Sequence, residues 1–263
     1  MFKPTAESKM SFGYSQNIYF IFAGIAFVTS IQHLTAYTCE FNVRMKQALK
    51  NEGYHRNLTY GIVFNGEADQ CWLFKDCILG LEQILPAGVY ANPDELSALR
   101  RINKINAVPK QQVNIELPAE QSQPTITYII EKIQDCKVYM WLPVHARYHV
   151  ALYGGGMARN SIGPPKVYLR CPDQRLEMCN KEAKPVNFLC NGSSKEKCSW
   201  KEIPYSLMSD TIVWKIPVGN MDHYSKISVG TALVIAIGSL YLIKAIHEHK
   251  LVTSFNPFNN SLS

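Results

Sequence analysis

The sequence predicts a mainly β fold: a disulfide-stabilised, β-sandwich-like domain followed by one C-terminal transmembrane helix. Three observations support this prediction. Short runs rich in β-branched and aromatic residues alternate with turn residues through the middle of the 263-residue chain. Eight cysteines lie between two uncharged apolar stretches, and the second stretch is long enough to cross a bilayer. The hydrophobic content of 47% favours a packed core over a disordered chain.

The first apolar stretch predicts a secretory signal. Residues 18–31 form a run without a charge, preceded by Lys3 and Lys9. A positive segment followed by a short apolar core is typical of signal peptides, and Val28 and Ser30 supply the small residues needed for cleavage after Ser30. The alternative is an uncleaved signal-anchor. In both cases the chain that follows is translocated across the membrane.

The middle of the chain is predicted to form short strands separated by turns. One helix has a clear start: Asn92 is a suitable N-cap, Pro93 is the first helical residue and Glu95 the third, which are the elements of a capping box. This helix is predicted from Pro93 to about residue 105, and the polar residues 109–124 are predicted to link two β units. The runs with strand-like composition are residues 59–64, 126–130, 136–142, 166–170 and 211–218.

The second apolar stretch predicts a transmembrane helix. Residues 227–243 carry no charge, and extension to residue 246 gives about 20 residues, which matches a hydrocarbon thickness of about 30 Å. A GPI-anchor signal is the competing interpretation, but such a signal ends the chain, and here polar-tending residues follow. The predicted organisation is a signal peptide or signal-anchor at 1–30, a luminal β-rich domain at 31–225, a transmembrane helix at 226–246 and a cytosolic tail at 247–263.

All eight cysteines fall in the predicted luminal segment. An even number in a translocated region indicates disulfides, whereas a zinc site would need close pairs such as Cys-x-x-Cys, which the sequence lacks. The last four are predicted to form a local staple near the membrane, and the overall pairing stays open. The disulfide candidates are Cys39, Cys71, Cys77, Cys136, Cys171, Cys179, Cys190 and Cys198.

Two sequons fall in the same segment. They begin at Asn57 and Asn191, and both asparagines are predicted to carry glycans. A third sequon at Asn259 lies in the predicted cytosolic tail and is expected to stay unmodified.

The sequence gives no positive case for catalysis, a metal or a cofactor. Carboxylates are scattered, and the chain contains no phosphate-binding loop, dinucleotide fingerprint or nucleophile elbow. The net charge of +6 is dispersed without runs of like charge, so nucleic acid is not an expected partner.

The most unusual stretch is WLPVHARYHV at residues 141–150. His145, Arg147 and His149 recur at every second position, which on a strand places them on one face. One interpretation is a site at which Arg147 pairs with a phosphate while a histidine carries protons. The other is an edge strand, since Pro143 lacks an N–H and charges at an edge discourage unwanted pairing. We favour the structural edge.

Several blocks, in order along the chain, resemble one family. The blocks are residues 53–58 (GYHRNL), 85–96 (LPAGVYANPDEL) and 142–148 (LPVHARY), then Pro164-Pro165, Leu169-Arg170-Cys171, Leu189-Cys190 and Cys198-Ser199-Trp200, followed by the apolar span. On these blocks the chain resembles the PIG-X family, called Pbn1 in fungi, from about residue 41 to residue 246.

The resemblance implies a role as a partner rather than as an enzyme. Members of this family are accessory subunits that stabilise the multi-pass catalytic subunit of GPI mannosyltransferase I, which adds the first mannose during GPI-anchor biosynthesis in the endoplasmic reticulum. It implies a single-pass type I protein in the lipid bilayer, with a large luminal domain. The alternative, which the topology alone allows, is a receptor or adhesion ectodomain acting as a binding module. The candidates for the partner interface are His55, Arg56, Pro143, His145, Arg147 and Tyr148.

Overall fold

A computed structural model describes residues 41–64, 74–176, 183–191 and 196–255. The predicted signal, the end of the predicted tail and three of the cysteines (Cys39, Cys71 and Cys179) lie outside these ranges. Signal cleavage and the location of the tail therefore stay predictions.

Two β-sheets make up most of the fold, as the sequence predicts. The first has five strands in the order β12, β1, β2, β7, β4; the second has six in the order β10, β11, β9, β3, β6, β5; and β8 and β13 form a separate antiparallel pair. The bounds are β1 Val43–Lys50, β2 His55–Phe64, β3 Ile78–Leu85, β4 Val89–Tyr90, β5 Ala107–Pro109, β6 Thr125–Lys132, β7 Lys137–Ala146, β8 Gly156–Ile162, β9 Lys166–Arg170, β10 Lys184–Leu189, β11 Lys197–Glu202, β12 Ser206–Leu207 and β13 Ile212–Val218; the helices are α1 Pro93–Arg101 and α2 Tyr224–Phe255.

The main core lies between the two sheets. In β2, Leu58, Tyr60 and Ile62 are buried while the residues between them face outward, which is the alternation expected of a strand with one covered face. Leu79 and Leu81 of β3 are fully buried on the facing sheet. Buried residues at every second position of each strand therefore define the packed side of each sheet.

A polar network crosses this core. Gln47 of β1 donates to the Gln83 side chain of β3 at 3.0 Å, and the Tyr60 hydroxyl donates to the same oxygen at 2.9 Å. Gln83 in turn donates to the Gly163 carbonyl at 3.0 Å. Burial raises the pKa of the Tyr60 phenol well above its ordinary value, so the hydroxyl stays protonated and remains a donor. Each buried amide is thus paired, and the network fixes the offset of one sheet on the other.

An aromatic cluster occupies the opposite face of the six-stranded sheet. Tyr128, Tyr168, Phe188 and Trp200 are buried together there. Three strands separate β6 from β10 in the sheet, a spacing of about 19 Å if the sheet were flat, yet the Tyr128 and Phe188 rings lie 4.6 Å apart. The sheet must therefore curl back on itself. Gly80 permits the curl, because a Cβ there would lie 2.9 Å from the Phe188 ring and 3.4 Å from the Trp200 ring.

Disulfides staple the six-stranded sheet. Cys77–Cys171 joins residues 94 positions apart, and Cys190–Cys198 closes the β10–β11 hairpin. Cys136 is also disulfide-bonded. The predicted local staple is right for Cys190 and Cys198 and wrong for Cys171, because the pairing of β3 with β9 brings Cys77 beside it. In the chain-entropy account, the Cys77–Cys171 disulfide, whose cysteines are 94 residues apart, contributes about 4–5 kcal/mol to the free energy of unfolding.

Helix α1 is shorter than the sequence predicts. It ends at Arg101 because Asn103 adopts a left-handed conformation with φ of 55°, which turns the chain out of the helix. The Lys104 N–H then donates to the Leu99 carbonyl at 3.0 Å, which satisfies one of the free carbonyls of the last turn. The predicted linker at 109–124 contains one 3₁₀ turn, Ala119–Gln121.

Helix α2 is apolar enough to span a membrane, and it is the one such helix in the part of the chain that the structure describes. Its 32 residues correspond to about 48 Å at 1.5 Å per residue, more than the hydrocarbon thickness of about 30 Å. From Tyr224 to Leu251 every residue except Gly230 is exposed rather than packed on the sheets. The predicted C-terminal transmembrane helix is thereby confirmed as an element of the fold.

The curl of the six-stranded sheet can be tested at Gly80. We expect Gly80→Ala to lower the free energy of unfolding by about 1–3 kcal/mol, since the new methyl overpacks the Phe188 and Trp200 rings. Gly163→Ala is the matched control, because nothing lies within 4 Å of a Cβ at that position. Thermal unfolding of the full chain in detergent, followed by tryptophan fluorescence, measures both. Equal midpoints for the two variants would contradict this account.

Candidate functional site

Three stretches that are distant in the sequence meet at one end of the five-stranded sheet. His55 begins β2 and lies opposite His145 near the end of β7. Glu95 comes from the first turn of α1, where Asn92 caps the helix by accepting from the Asp94 N–H at 3.0 Å. We call His55, Glu95 and His145 the Glu95 cluster. Each residue belongs to a different one of the first three sequence blocks that carry the family resemblance.

The carboxylate of Glu95 is shared between the two imidazoles. Its Oε2 lies 2.7 Å from His145 Nε2, and its Oε1 lies 3.3 Å from His55 Nε2. The two imidazole rings stack with centroids 4.1 Å apart, and the Tyr90 ring stacks on His145 at 5.2 Å. His145 and Glu95 are largely covered while His55 is exposed. The Glu95 carboxylate thus contacts two histidines. Of the predicted capping box, the cap by Asn92 is present.

The geometry of the Glu95 cluster favours hydrogen bonds over a metal centre. The three residues carry donor atoms close enough together to be considered as ligands. However, the imidazole planes differ by only 22°, so their in-plane lone pairs run side by side and do not converge on one point. A metal such as Zn²⁺ needs each coordinating nitrogen to point at it from about 2.0–2.1 Å. Two stacked rings on one carboxylate instead form a compact polar joint between β2, α1 and β7.

Arg147 is a buried structural clamp. Its side chain donates to the Leu117 carbonyl at 2.7 Å and to the Ile115 carbonyl at 3.4 Å, and the guanidinium lies 4.5 Å over the Tyr90 ring. Its backbone N–H donates to the Gly88 carbonyl at 2.9 Å. Only 4% of the residue is exposed, and burial lowers the pKa of the guanidinium from its ordinary value, although the group remains charged.

The predicted row of His145, Arg147 and His149 on one exposed face is therefore wrong. Strand β7 ends at Ala146, so His145 lies inside the strand and the other two residues follow it. The three side chains have different surroundings. His145 contacts Glu95, Arg147 enters the interior, and His149 lies 3.3 Å from the Asn160 amide. The interpretation of Arg147 as a phosphate-binding residue is also wrong, because its guanidinium donates hydrogen bonds to backbone carbonyls.

The pairing of β7 agrees with the interpretation that Pro143 lies at an edge of the sheet. Strand β7 pairs with β2 along its length, whereas β4 pairs only with His145 and Ala146. Among the described strands, none pairs with Pro143 on the side away from β2, so its missing N–H leaves no ladder bond unmade. Pro143 itself is buried.

Position 88 requires a glycine, because there is no room for a Cβ atom. A Cβ at this position would overlap the Asn160 side chain and lie 2.7 Å from His149 Nε2. The turn also carries a bond from the Val89 N–H to the Pro86 carbonyl at 2.9 Å. The Leu-Pro-x-Gly block thus fits a narrow space between β7 and β8, and it delivers Tyr90 and then Glu95 to the cluster.

The other predicted site residues surround the Glu95 cluster or lie apart from it. Tyr148 is 82% exposed, with its ring 6.3 Å from that of Tyr54. Arg56 lies 5.2 Å over the Trp214 ring. Asn57 is on the outward-facing side of β2, and Asn191 is exposed at the end of the β10 segment. The two glycosylation predictions are therefore sterically compatible with the fold and stay predictions.

Sequence reasoning missed Glu95, Tyr90 and Gly88 as members of the site. From the sequence, Glu95 and its neighbour Asp94 are interpreted as ordinary helix-start residues, and Tyr90 is given no role of its own. The available signal was the block from residue 85 to residue 96, which combines a tight turn, an aromatic residue and a helix start in 12 residues.

The fold and the site define a class of protein: a mainly β domain followed by a helix apolar enough to span a membrane, with the ionisable groups of the candidate site in contact with one another. Residues 51–247 match the family model PIG-X / PBN1, so the chain belongs to this family, as the ordered blocks predict. It is 26% identical over 211 residues to the human "GPI alpha-1,4-mannosyltransferase I, stabilizing subunit", a match covering 78% of this chain and 80% of that protein. The proteins of the same name from Rattus norvegicus and Mus musculus are 26% and 27% identical over 218 residues, covering 81% of this chain and 84% of each.

The joint formed by the Glu95 cluster can be tested by neutralising its carboxylate. We expect Glu95→Gln to lower the free energy of unfolding by about 1 kcal/mol, because an amide cannot accept from both histidines. Asp94→Asn is the matched control, since its carboxylate neighbours Glu95 on the same turn and is exposed. Denaturant titration of the full chain in detergent measures both variants. A loss in Asp94→Asn as large as that in Glu95→Gln would refute the assignment.

Proposed function

We propose that this protein is the non-catalytic stabilising subunit of GPI mannosyltransferase I, and that it supports addition of the first mannose in GPI-anchor biosynthesis. The observation that carries the proposal is the family match over residues 51–247, together with relatives named as the stabilizing subunit of that enzyme. The chain covers 80–84% of each relative's length. The family match runs from the residue after β1 to a point within helix α2.

The proposed partner is the multi-pass catalytic subunit, met in the plane of the membrane. The proposed location is the endoplasmic reticulum membrane, with the β domain in the lumen and a single span. The disulfides Cys77–Cys171 and Cys190–Cys198 support an oxidising compartment. The outward-facing Asn57 and exposed Asn191 support glycans there.

The proposed contact surface centres on the exposed members of the candidate interface. His55 and Tyr148 are accessible at the end of the five-stranded sheet, and Arg56 and His145 are partly so. Pro143 and Arg147 are buried. We therefore assign them a positioning role: Arg147 fixes the backbone from which Tyr148 projects.

Depletion tests the proposed function directly. Removing this chain from cells is expected to lower the abundance of the catalytic mannosyltransferase subunit, without change in its messenger RNA, because an unprotected membrane partner is degraded. Re-expression of the chain restores that abundance. Unchanged partner abundance after complete depletion would overturn the proposal.

Tyr148 tests the proposed surface. Loss of an interface tyrosine costs about 2 kcal/mol or more at a binding centre, so Tyr148→Ser is expected to reduce co-purification of the catalytic subunit sharply. Tyr139→Ser is the control, because Tyr139 is also highly exposed, at 77%, but lies toward the other end of β7. Both variants should have wild-type unfolding temperatures. Equal co-purification by the two would exclude Tyr148 from the interface.

A further inference from the structure

The loop that connects β7 to β8 is bonded to the residues just before helix α2. The Leu152 N–H donates to the Gly219 carbonyl at 2.9 Å, and the Met221 N–H donates to the Leu152 carbonyl at 3.0 Å. The Gly154 N–H donates to the Asp222 carboxylate at 3.0 Å. This part of the loop is therefore held at the start of the apolar helix by the backbone itself.

The same loop and the start of β8 expose apolar and aromatic side chains. Leu152 is 54% exposed, Tyr153 is 81% exposed and Met157 is 61% exposed. Met221, three residues before α2, is 37% exposed, and Tyr224, the first residue of α2, is 67% exposed. Exposed apolar side chains grouped in this way mark an interaction surface.

The height of the loop above the hydrocarbon follows from its bonds. Asp222 lies five residues before Ile227, where the uncharged stretch begins, which is about 8 Å along a helical chain. The headgroup region adds about 5–8 Å on each side of a hydrocarbon core of about 30 Å. The bonded loop thus falls at the depth where tyrosine is enriched in membrane proteins.

We propose that residues 152–157, here called the juxtamembrane loop, insert their apolar side chains into the bilayer interface and seat the β domain on the membrane surface. The partner is the lipid itself, in the zone between headgroups and acyl chains. The proposal rests on the assignment of α2 as the span. It goes beyond the stabilising role, because it sets the orientation of the β domain without any second protein.

The turn at the tip of the loop fits this placement. Gly154, Gly155 and Gly156 have φ values of 78°, 71° and 130°, conformations that other residues rarely adopt. They reverse the chain directly after Tyr153 and lead it into β8. The reversal leaves Tyr153 projecting from the tip, with its polar hydroxyl at the end of an apolar ring, a shape suited to an interface that is apolar on one side and wet on the other.

The test measures depth with single tryptophan substitutions in the full chain, reconstituted alone into phosphatidylcholine nanodiscs. Tyr153→Trp reports on the juxtamembrane loop, Leu233→Trp on the middle of α2, and Tyr139→Trp on an equally exposed position remote from the loop. Lipids brominated along the acyl chain quench only tryptophans in contact with them. The emission added by each substitution, relative to the wild-type chain, is compared with and without bromine.

The proposal expects Tyr153→Trp to lose most of its added emission, more strongly with bromine near the headgroup than near the chain end. Leu233→Trp should show the reverse preference, and Tyr139→Trp should lose none. Quenching of Leu233→Trp without quenching of Tyr153→Trp would overturn the loop proposal and leave the span intact. Absence of quenching at Leu233 would overturn the span assignment itself. If Tyr153→Trp is not quenched in the chain alone and its emission changes only when the catalytic subunit is added, the surface belongs to that protein and the lipid proposal is wrong.

Discussion

One buried guanidinium organises the functional end of this molecule. A charge removed from water must be compensated by hydrogen bonds or by other charges. Arg147 meets this requirement with two carbonyls from residues 115–117 and with the face of Tyr90. To do so it must draw together a loop without regular structure, the short strand β4 and the end of β7. Once Tyr90 is fixed, helix α1 begins three residues later, and Glu95 is delivered to the histidines of β2 and β7.

The Glu95 cluster is also linked to the end of the domain nearest α2. Tyr54, the residue before His55, donates its hydroxyl to the Pro217 carbonyl of β13 at 3.4 Å. Pro217 lies in the strand that leads, through Asn220 and Asp222, into α2. The proposed partner surface and the apolar loop at the membrane are therefore neighbours on one side of the β domain. If the juxtamembrane loop is seated in the bilayer as proposed, the candidate interface residues lie on the side of the β domain that is next to the membrane.

The elements that depend on local pattern were predictable from the sequence. The apolar span, the start of α1 at Pro93 and the strands near residues 126–130 and 136–142 follow from composition and spacing alone, and the structure contains each of them. The surroundings of Arg147 were not predictable, because alternation along a strand shows which residues share a face and not what covers that face. Here the cover comes from residues 115–117, which have no periodic pattern to reveal it. Cys171 was misassigned for a related reason: its partner was chosen by nearness in sequence, whereas the pairing of β3 with β9 decides nearness in space.

The position of β12 has a consequence for how the chain is made. The first strand of the domain, β1, is completed at its edge by residues 206–209: the Met208 N–H donates to the Met45 carbonyl at 2.8 Å, and the Gln47 N–H donates to Ser209 Oγ at 3.0 Å. At about 5–20 residues per second, these partners are synthesised roughly 8–33 s after β1. They are also among the last residues to be made before α2. The edge of the sheet can therefore close only shortly before the hydrophobic helix emerges from the ribosome, so that completion of the fold and emergence of the helix fall close together, late in biosynthesis.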